Sequence, residues 1–208
     1  KGRGSPLLNE GSGGQPSSNG QTAGFFDVDG TLGSTNVVQA YLDFRRQGYS
    51  LLQRWAQATL FLPKVPYYVI LDALSRERFC EVFFHSYAEV LKSDLERWAS
   101  GAAQRYWHPR LFPEALLQLE MHKAQGHRVV LVSGGIEPVL KPLAEMLAVD
   151  ALIAAQPEVE DSRLTGHLID GPLSGKRKAD AMHHAGDSLG IDLEQSYAYA
   201  DSYADREF

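Results

Sequence analysis

Short apolar runs punctuate this chain, separated by longer stretches in which apolar residues recur every three or four positions. The first run, Gly24 to Val28, reads as a buried strand. Val129 to Val132 is a second, running into Ser133-Gly134-Gly135. Asp150 to Ala154 and Ser196 to Ala200 are two more, and Val159 to Ile169, with Asp161 and Ser162 at its middle, reads as a hairpin. Helical spacing fills the gaps. It predicts helices over Val37–Arg46, Leu51–Leu62, Tyr67–Leu74 and Arg76–Leu91. Ser93-Asp94-Leu95-Glu96 has the form of a capping box, opening a helix with Leu95, Trp98 and Ala102 inward. Further helices run through Leu116–His122 to a stop at Gly126, and from about Arg177 to Gly190. Pro138 suits the first turn of a helix after Gly135, where Pro142 implies a late start or a kink.

Strands alternating with helices imply an α/β fold with a doubly wound, mostly parallel sheet. The region from about 36 to 108 carries no strong strand and reads as an all-helical insertion. Residues 1–22 are rich in Gly, Ser, Gln and Asn and read as a flexible leader or linker. Gly11-Ser12-Gly13-Gly14 within it is no phosphate loop, since no strand precedes it. The expected division is therefore a leader at 1–22, an α/β core at 23–35 and 109–208, and a helical domain at 36–108. The absence of an initial Met and the stop at Phe208, within a loop, mark the chain as a fragment.

Composition narrows the function. Over 208 residues, 44% hydrophobic and 22% charged content is that of an ordinary globular protein. A net charge of −6 argues against nucleic-acid binding, which needs a basic surface. One cysteine, Cys80, leaves no intramolecular disulfide and fits a reducing, cytoplasmic compartment. It reads as helix core filler. Thr59 to Leu74 is the most apolar segment, yet Pro63, Lys64 and Pro66 break it and it is too short to span a bilayer. It packs inside the helical domain or, alternatively, touches a membrane surface through Tyr67 and Tyr68. The seven histidines show no metal-ligand spacing and receive no role.

Three strand ends carry the candidate chemistry. In Phe25-Phe26-Asp27-Val28-Asp29-Gly30-Thr31-Leu32, two carboxylates stand where a strand gives way to a turn. Residues two apart on a strand point the same way, so Asp27 and Asp29 can share a small volume. Two anions there repel unless a cation or a proton is shared. Ser133-Gly134 offers a hydroxyl and backbone N–H groups ahead of a helix N-terminus, a seat for phosphate. Lys176-Arg177-Lys178 opens a helix, where a cation is unfavourable and wants an anion nearby. Asp201 follows the last strand, and ligands of such sheets bind beyond the strands' carboxyl ends.

These four motifs, in this order, resemble the signatures of the haloacid dehalogenase superfamily, most of whose members are Mg²⁺-dependent phosphatases. The helical insertion resembles the cap of its phosphoserine-phosphatase-like branch, subfamily IB. The resemblance implies a phosphomonoesterase for a small organic phosphate ester. Asp27 would be the nucleophile and Asp29 the general acid and base. Lys178, with Lys176 as runner-up, would offset the charge. Ser133, with Gly134, would hold phosphate, and Thr31 would steady the loop beside it. Mg²⁺ would be held by Asp27, the backbone carbonyl of Asp29, and Asp201, with Asp205 supporting the metal site. Serine phosphatases of this branch carry a Glu where spacing gives Asn36, so phosphoserine ranks below other phosphomonoesters. Val65-Pro66-Tyr67-Tyr68 and Ser75-Arg76 resemble hydrolases linked to acyl-transfer enzymes, which favours a lipid-linked phosphate. A catalytically silent, partner-docking domain is the alternative of a different class.

Overall fold

The structure, a computed structural model, describes residues 20–47 and 64–201. Most of the leader, the expected helix at Leu51–Leu62 and Asp205 lie outside the described residues. The centre is a four-stranded parallel sheet in the order β3-β2-β1-β4, with β1 Ala23–Asp27, β2 Arg128–Ile136, β3 Ala151–Ala155 and β4 Tyr197–Tyr199. All five residues of β1 are buried, as befits an inner strand covered on both faces.

Strand alternation sorts its side chains into two layers. Phe25, Val130 and Val132 face α7 (Lys176–Leu189) and pack with Met182 and Ile191. Phe26, Val129 and Leu131 face the other way, toward α5 (Pro113–Ala124) and α6 (Glu137–Met146), through Leu119, Leu140 and Leu143. Helices on both faces of a parallel sheet are the doubly wound arrangement expected. Pro138 sits in the first turn of α6, and Pro142 lies inside a helix that starts at Glu137 and not late. The antiparallel hairpin Pro157–Glu160 with Arg163–Leu168 turns at Asp161 and Ser162, whose φ values of 45° and 67° are those of a two-residue hairpin turn.

Between β1 and α5 the described residues are helical. They form α1 (Val37–Arg45), α2 (Lys64–Leu74), α3 (Arg76–Phe84) and α4 (Lys92–Ala102), then a π-helical turn at Ala103–Trp107 and a 3₁₀ turn at His108–Arg110. Aromatic side chains fill this layer: Phe83 touches Tyr41, Tyr68, Phe79, Phe84 and Tyr87, with ring centroids 5.4–6.1 Å apart. Cys80 is buried among them. On α2 Tyr68 is buried and Leu71 is half-buried against the aromatic core, while Tyr67, Val69, Ile70 and Leu74 are exposed. No helix among the described residues is long and apolar enough to cross a membrane.

Two helix boundaries differ from the expected ones, and the hairpin explains both. The helix expected to run to Leu91 stops at Phe84 and passes through a 3₁₀ turn, His85–Tyr87. Glu89 then takes a φ of 63°, its N–H donating to the Leu164 carbonyl, while Leu164 N–H donates to Val90. Ser93 does not cap α4 either. Leu91 is the N-cap and makes no side-chain bond, because it is bridged to Arg163 and Lys92 N–H bonds the Ser162 carbonyl. Tertiary pairing fixes the start of this helix two residues ahead of the local signal at Ser93.

Candidate active site

Register brings the motifs to one end of the sheet. Asp27 pairs with Val132, so Ser133 comes one residue beyond it on the neighbouring strand. On the other side Phe26 pairs with Tyr199, which sets Asp201 beside the turn after Asp27. A cavity of about 510 Å³ opens there, lined by Asp27, Asp29, Ser133, Gly134, Lys178 and Asp201.

Asp27 and Lys178 are both buried, and Lys178 Nζ donates to Asp27 Oδ1 at 2.6 Å. A buried carboxylate and ammonium survive only if paired, and this pairing also answers the unfavourable lysine at the start of α7. Lys176, the runner-up, is exposed. Gly175, with φ 49°, precedes α7 and gives it no side-chain cap.

Asp29 lies in a different environment. Burial pushes its pKa up from the ordinary carboxylate value, against the lowering effects of the Thr35 hydrogen bond, Arg76 and Lys178, and Asp201 raises it further. Thr35 Oγ1 donates to Asp29 Oδ1 at 2.9 Å, and Thr35 is itself buried. Gly30 has a φ of 85°, and a Cβ there would collide with the Asp201 carboxylate. Asp201 is thereby brought against the turn that carries Asp29.

Ser133 is buried, and Gly135 N–H donates to its Oγ at 3.0 Å. The hydroxyl proton remains available to a ligand in the cavity. Gly134 faces the same space, where a Cβ would stand 3.2 Å from the Leu173 carbonyl oxygen. Thr31 is the exception among the expected residues. Its hydroxyl is buried with no hydrogen-bond partner among the described residues, and it does not line the cavity. The threonine hydroxyl that ties this loop is that of Thr35, bonded to Asp29.

Thr35 and Arg76 are the side chains that sequence reasoning missed. Thr35 reaches Asp29 because the chain doubles back: Gly30 N–H donates to the Gly33 carbonyl and Thr35 N–H to the same oxygen. Arg76 arrives at the cavity from the helical layer. Asn36 lines the cavity too, with its Oδ1 accepting the Gln39 N–H at 2.9 Å as the cap of α1.

The donor set suits a hard divalent cation. Two carboxylates, Asp27 and Asp201, and the main chain at Asp29 offer oxygen, and the missing Cβ of Gly30 leaves room for the Asp201 carboxylate. Among the described residues no three His, Cys, Asp or Glu side chains form a metal cluster.

The site is thus a carboxylate–lysine pair and a serine gathered at the carboxyl end of a parallel α/β sheet. Residues 25–208 match the haloacid dehalogenase-like hydrolases, and the chain belongs to that family. It is 29% identical over 189 residues to a probable phosphatase of Mycobacterium tuberculosis, covering 89% of this chain. The chain spans 64% of that relative's length. Its fold is similar to a protein of unknown function from Bordetella pertussis, with a TM-score of 0.72 at 24% identity over 90% of this chain and 85% of the other. It is also similar to a phosphoserine phosphohydrolase-like protein from Francisella tularensis, with a TM-score of 0.64 at 18% identity over 89% and 81% of the two chains.

Proposed function

We propose that this chain is a Mg²⁺-dependent phosphomonoesterase that works through an aspartyl-phosphate on Asp27. The observation that carries the reading is the buried Lys178–Asp27 pair at 2.6 Å, set in a cavity that Ser133 and Asp201 also line. Asp27 attacks phosphorus as a carboxylate, which needs no base to activate it. The bond from phosphorus to the ester oxygen breaks, and Asp29 donates its proton to the departing alkoxide. Asp29, now ionised, takes a proton from water, which attacks the phosphorus and releases phosphate from Asp27. The raised pKa of Asp29 favours the protonated form that the first half requires. Ser133 O–H and the Gly134 backbone hold phosphate oxygens, and Lys178 keeps Asp27 ionised and offsets the dianion's charge. Mg²⁺, held by Asp27, the Asp29 carbonyl and Asp201, would supply charge neutralisation when bound. Asp205 would support that site. The helical layer would act as a cap over the cavity.

For substrate, we favour a lipid-linked or otherwise amphiphilic phosphate ester. The exposed Tyr67, Val69, Ile70 and Leu74 of α2 favour this class, and the same face would give peripheral contact with a membrane. Phosphoserine fits less well: Asn36 carries no charge to meet an ammonium group, and its oxygen already caps α1. Hydrolysis of an aryl phosphate in the presence of Mg²⁺, lost by at least about 10³-fold in Asp27→Asn, is the expected result. Equal activity in that variant would refute the mechanism, and no activity in either protein would favour the silent docking domain. A substrate panel of lysophosphatidate, phosphoserine and sugar phosphates then separates the classes, and turnover of only the soluble esters would count against the lipid reading.

A further inference from the structure

Outside the cavity, the most elaborate polar arrangement among the described residues lies behind β4. This strand is only three residues long, and among the described residues it pairs with β1 alone. Its side chains carry much of its attachment. Tyr199 stacks on Phe26 at 4.6 Å, and its hydroxyl meets Gln118 Nε2 at 2.7 Å and His122 Nε2 at 2.9 Å. His122 is 4% exposed, and its Nδ1 lies 2.9 Å from His127 Nδ1. The His127 ring in turn stacks on Tyr197, with 14° between planes.

The direction of each hydrogen bond follows from the donors present. Gln118 N–H can only donate, so the Tyr199 oxygen accepts it. The Tyr199 proton then has one acceptor among these contacts, the His122 Nε2 lone pair. A neutral His122 with bare Nε2 carries its proton on Nδ1, which donates to a bare Nδ1 of His127. The chain of bonds therefore runs Gln118 to Tyr199 to His122 to His127. Adding a proton at His127 sets two N–H groups face to face. Moving the His122 proton to Nε2 relieves that clash but sets it against the Tyr199 O–H. Either way one bond of the chain is lost.

We propose that His122 is a positioning residue: with His127 it forms a proton-sensitive latch that holds β4, and through it Asp201, against the catalytic cavity. The latch rests on the reading of Asp201 as part of that site. Tyr199 precedes Asp201 by two residues, so releasing its hydroxyl loosens the short segment that carries the carboxylate. The titratable and charged groups around the pair leave its control internal. From β4 they are Tyr197 and Tyr199, while β1 contributes only Gly24 and Phe26, which do not titrate. On α5, Lys123 is turned to Glu120 and to the Leu147 carbonyl, and Arg128, next to His127, is paired with Asp150. Burial and the neighbouring His127 both lower the pKa of His122, in keeping with a chain that excludes the extra proton.

The test reads β4 directly. In ¹⁵N-labelled protein at pH 7.5, His122 should be protonated on Nδ1 and bare on Nε2. Hydrogen-exchange protection factors at Tyr197–Tyr199 should fall about tenfold between pH 7.5 and 5.5 relative to Val130–Val132, inside the sheet. Tyr199→Phe keeps the stack on Phe26 and should show the low protection already at pH 7.5, with a flat pH profile. His127→Phe keeps a ring on Tyr197, removes the acceptor, and should behave alike. In both variants calorimetric Mg²⁺ affinity should fall several-fold at pH 7.5. Unchanged protection in Tyr199→Phe, or a His122 protonated on Nε2 at pH 7.5, would overturn the latch. Altered protection in a protein that binds no Mg²⁺ would support the latch and refute only the metal role of Asp201.

Discussion

Asp27 and Asp29 stand two positions apart, yet one faces an ammonium while the surroundings of the other favour its protonated form. Asp27 has an ammonium at 2.6 Å, whereas Asp29 has a neutral hydroxyl at 2.9 Å and is dominated by burial. Separate roles for two carboxylates need that division. It also fixes a stability effect. Because the folded pKa of Asp29 lies above its unfolded value, its contribution is complete below the unfolded pKa of about 3.9 and is lost as pH rises through the folded value. Near neutral pH, therefore, the metal-free protein carries an Asp29 that the fold would rather keep protonated. Asp29→Asn keeps an oxygen for Thr35 and removes the charge. Thermal unfolding in EDTA at pH 7.5 should give a variant more stable by about 1 kcal/mol, while phosphatase activity falls by at least about 10²-fold. The stability gain should shrink on acidification. A variant less stable than the parent at pH 7.5 would mean that Asp29 is ionised at little cost.

The turn after β1 is tightly constrained. Gly30 combines a left-handed φ of 85° with a side-chain position already filled by the Asp201 carboxylate. Gly30→Ala therefore strains the backbone and displaces Asp201 together, with a cost of about 1–3 kcal/mol. Mg²⁺ affinity by calorimetry should fall at least about tenfold in this variant, and unchanged affinity would show that Asp201 does not need the space. The sequence makes the convergence of Asp27, Ser133, Lys178 and Asp201 readable because each lies in the carboxyl half of a parallel strand, just past one, or in the first turn of a helix, and the geometry of such a sheet dictates where they meet. Residues placed by non-local pairing are not readable in this way. Thr35 bonds Asp29 only because the Gly30–Gly33 loop folds back, and Arg76 enters from a helix far along the chain. Ser93 offers a sound local cap that loses to the Leu91–Arg163 bridge, 72 residues apart by number. His122 shows no motif: His127 follows it by five residues just past the end of α5, but Tyr199 lies on a strand 77 residues away that only folding brings beside that helix.

The helical layer and the sheet share one apolar core, which runs from Phe26 and Leu131 through Leu140 to Phe83, Tyr87 and Trp98. A helical layer that shares its core with the sheet cannot move away without exposing that surface, and two connections join the layers. Those connections lie side by side. Gly33 is bridged antiparallel to Leu111, Ser34 N–H donates to the Arg110 carbonyl at 2.9 Å, and Phe112 N–H donates to the Leu32 carbonyl at 3.0 Å. The paired segments form a short two-stranded link immediately behind the Asp29–Thr35 turn. Gly33 permits the approach, since a Cβ there would stand 2.7 Å from the Arg110 carbonyl oxygen, a main-chain atom with little freedom to move. Gly33→Ala should therefore part the two connections, breaking one or both flanking hydrogen bonds at about 1 kcal/mol each. The Thr35–Asp29 bond lies two residues away and should loosen with them, so kcat should fall more than KM rises. Hydrogen exchange at Ser34 and Phe112 checks the cause: both amides should lose protection in the variant while Val130–Val132 keep theirs. Retained protection at Ser34 and Phe112 would show that the link absorbs the extra methyl, and that the layers are tied together elsewhere.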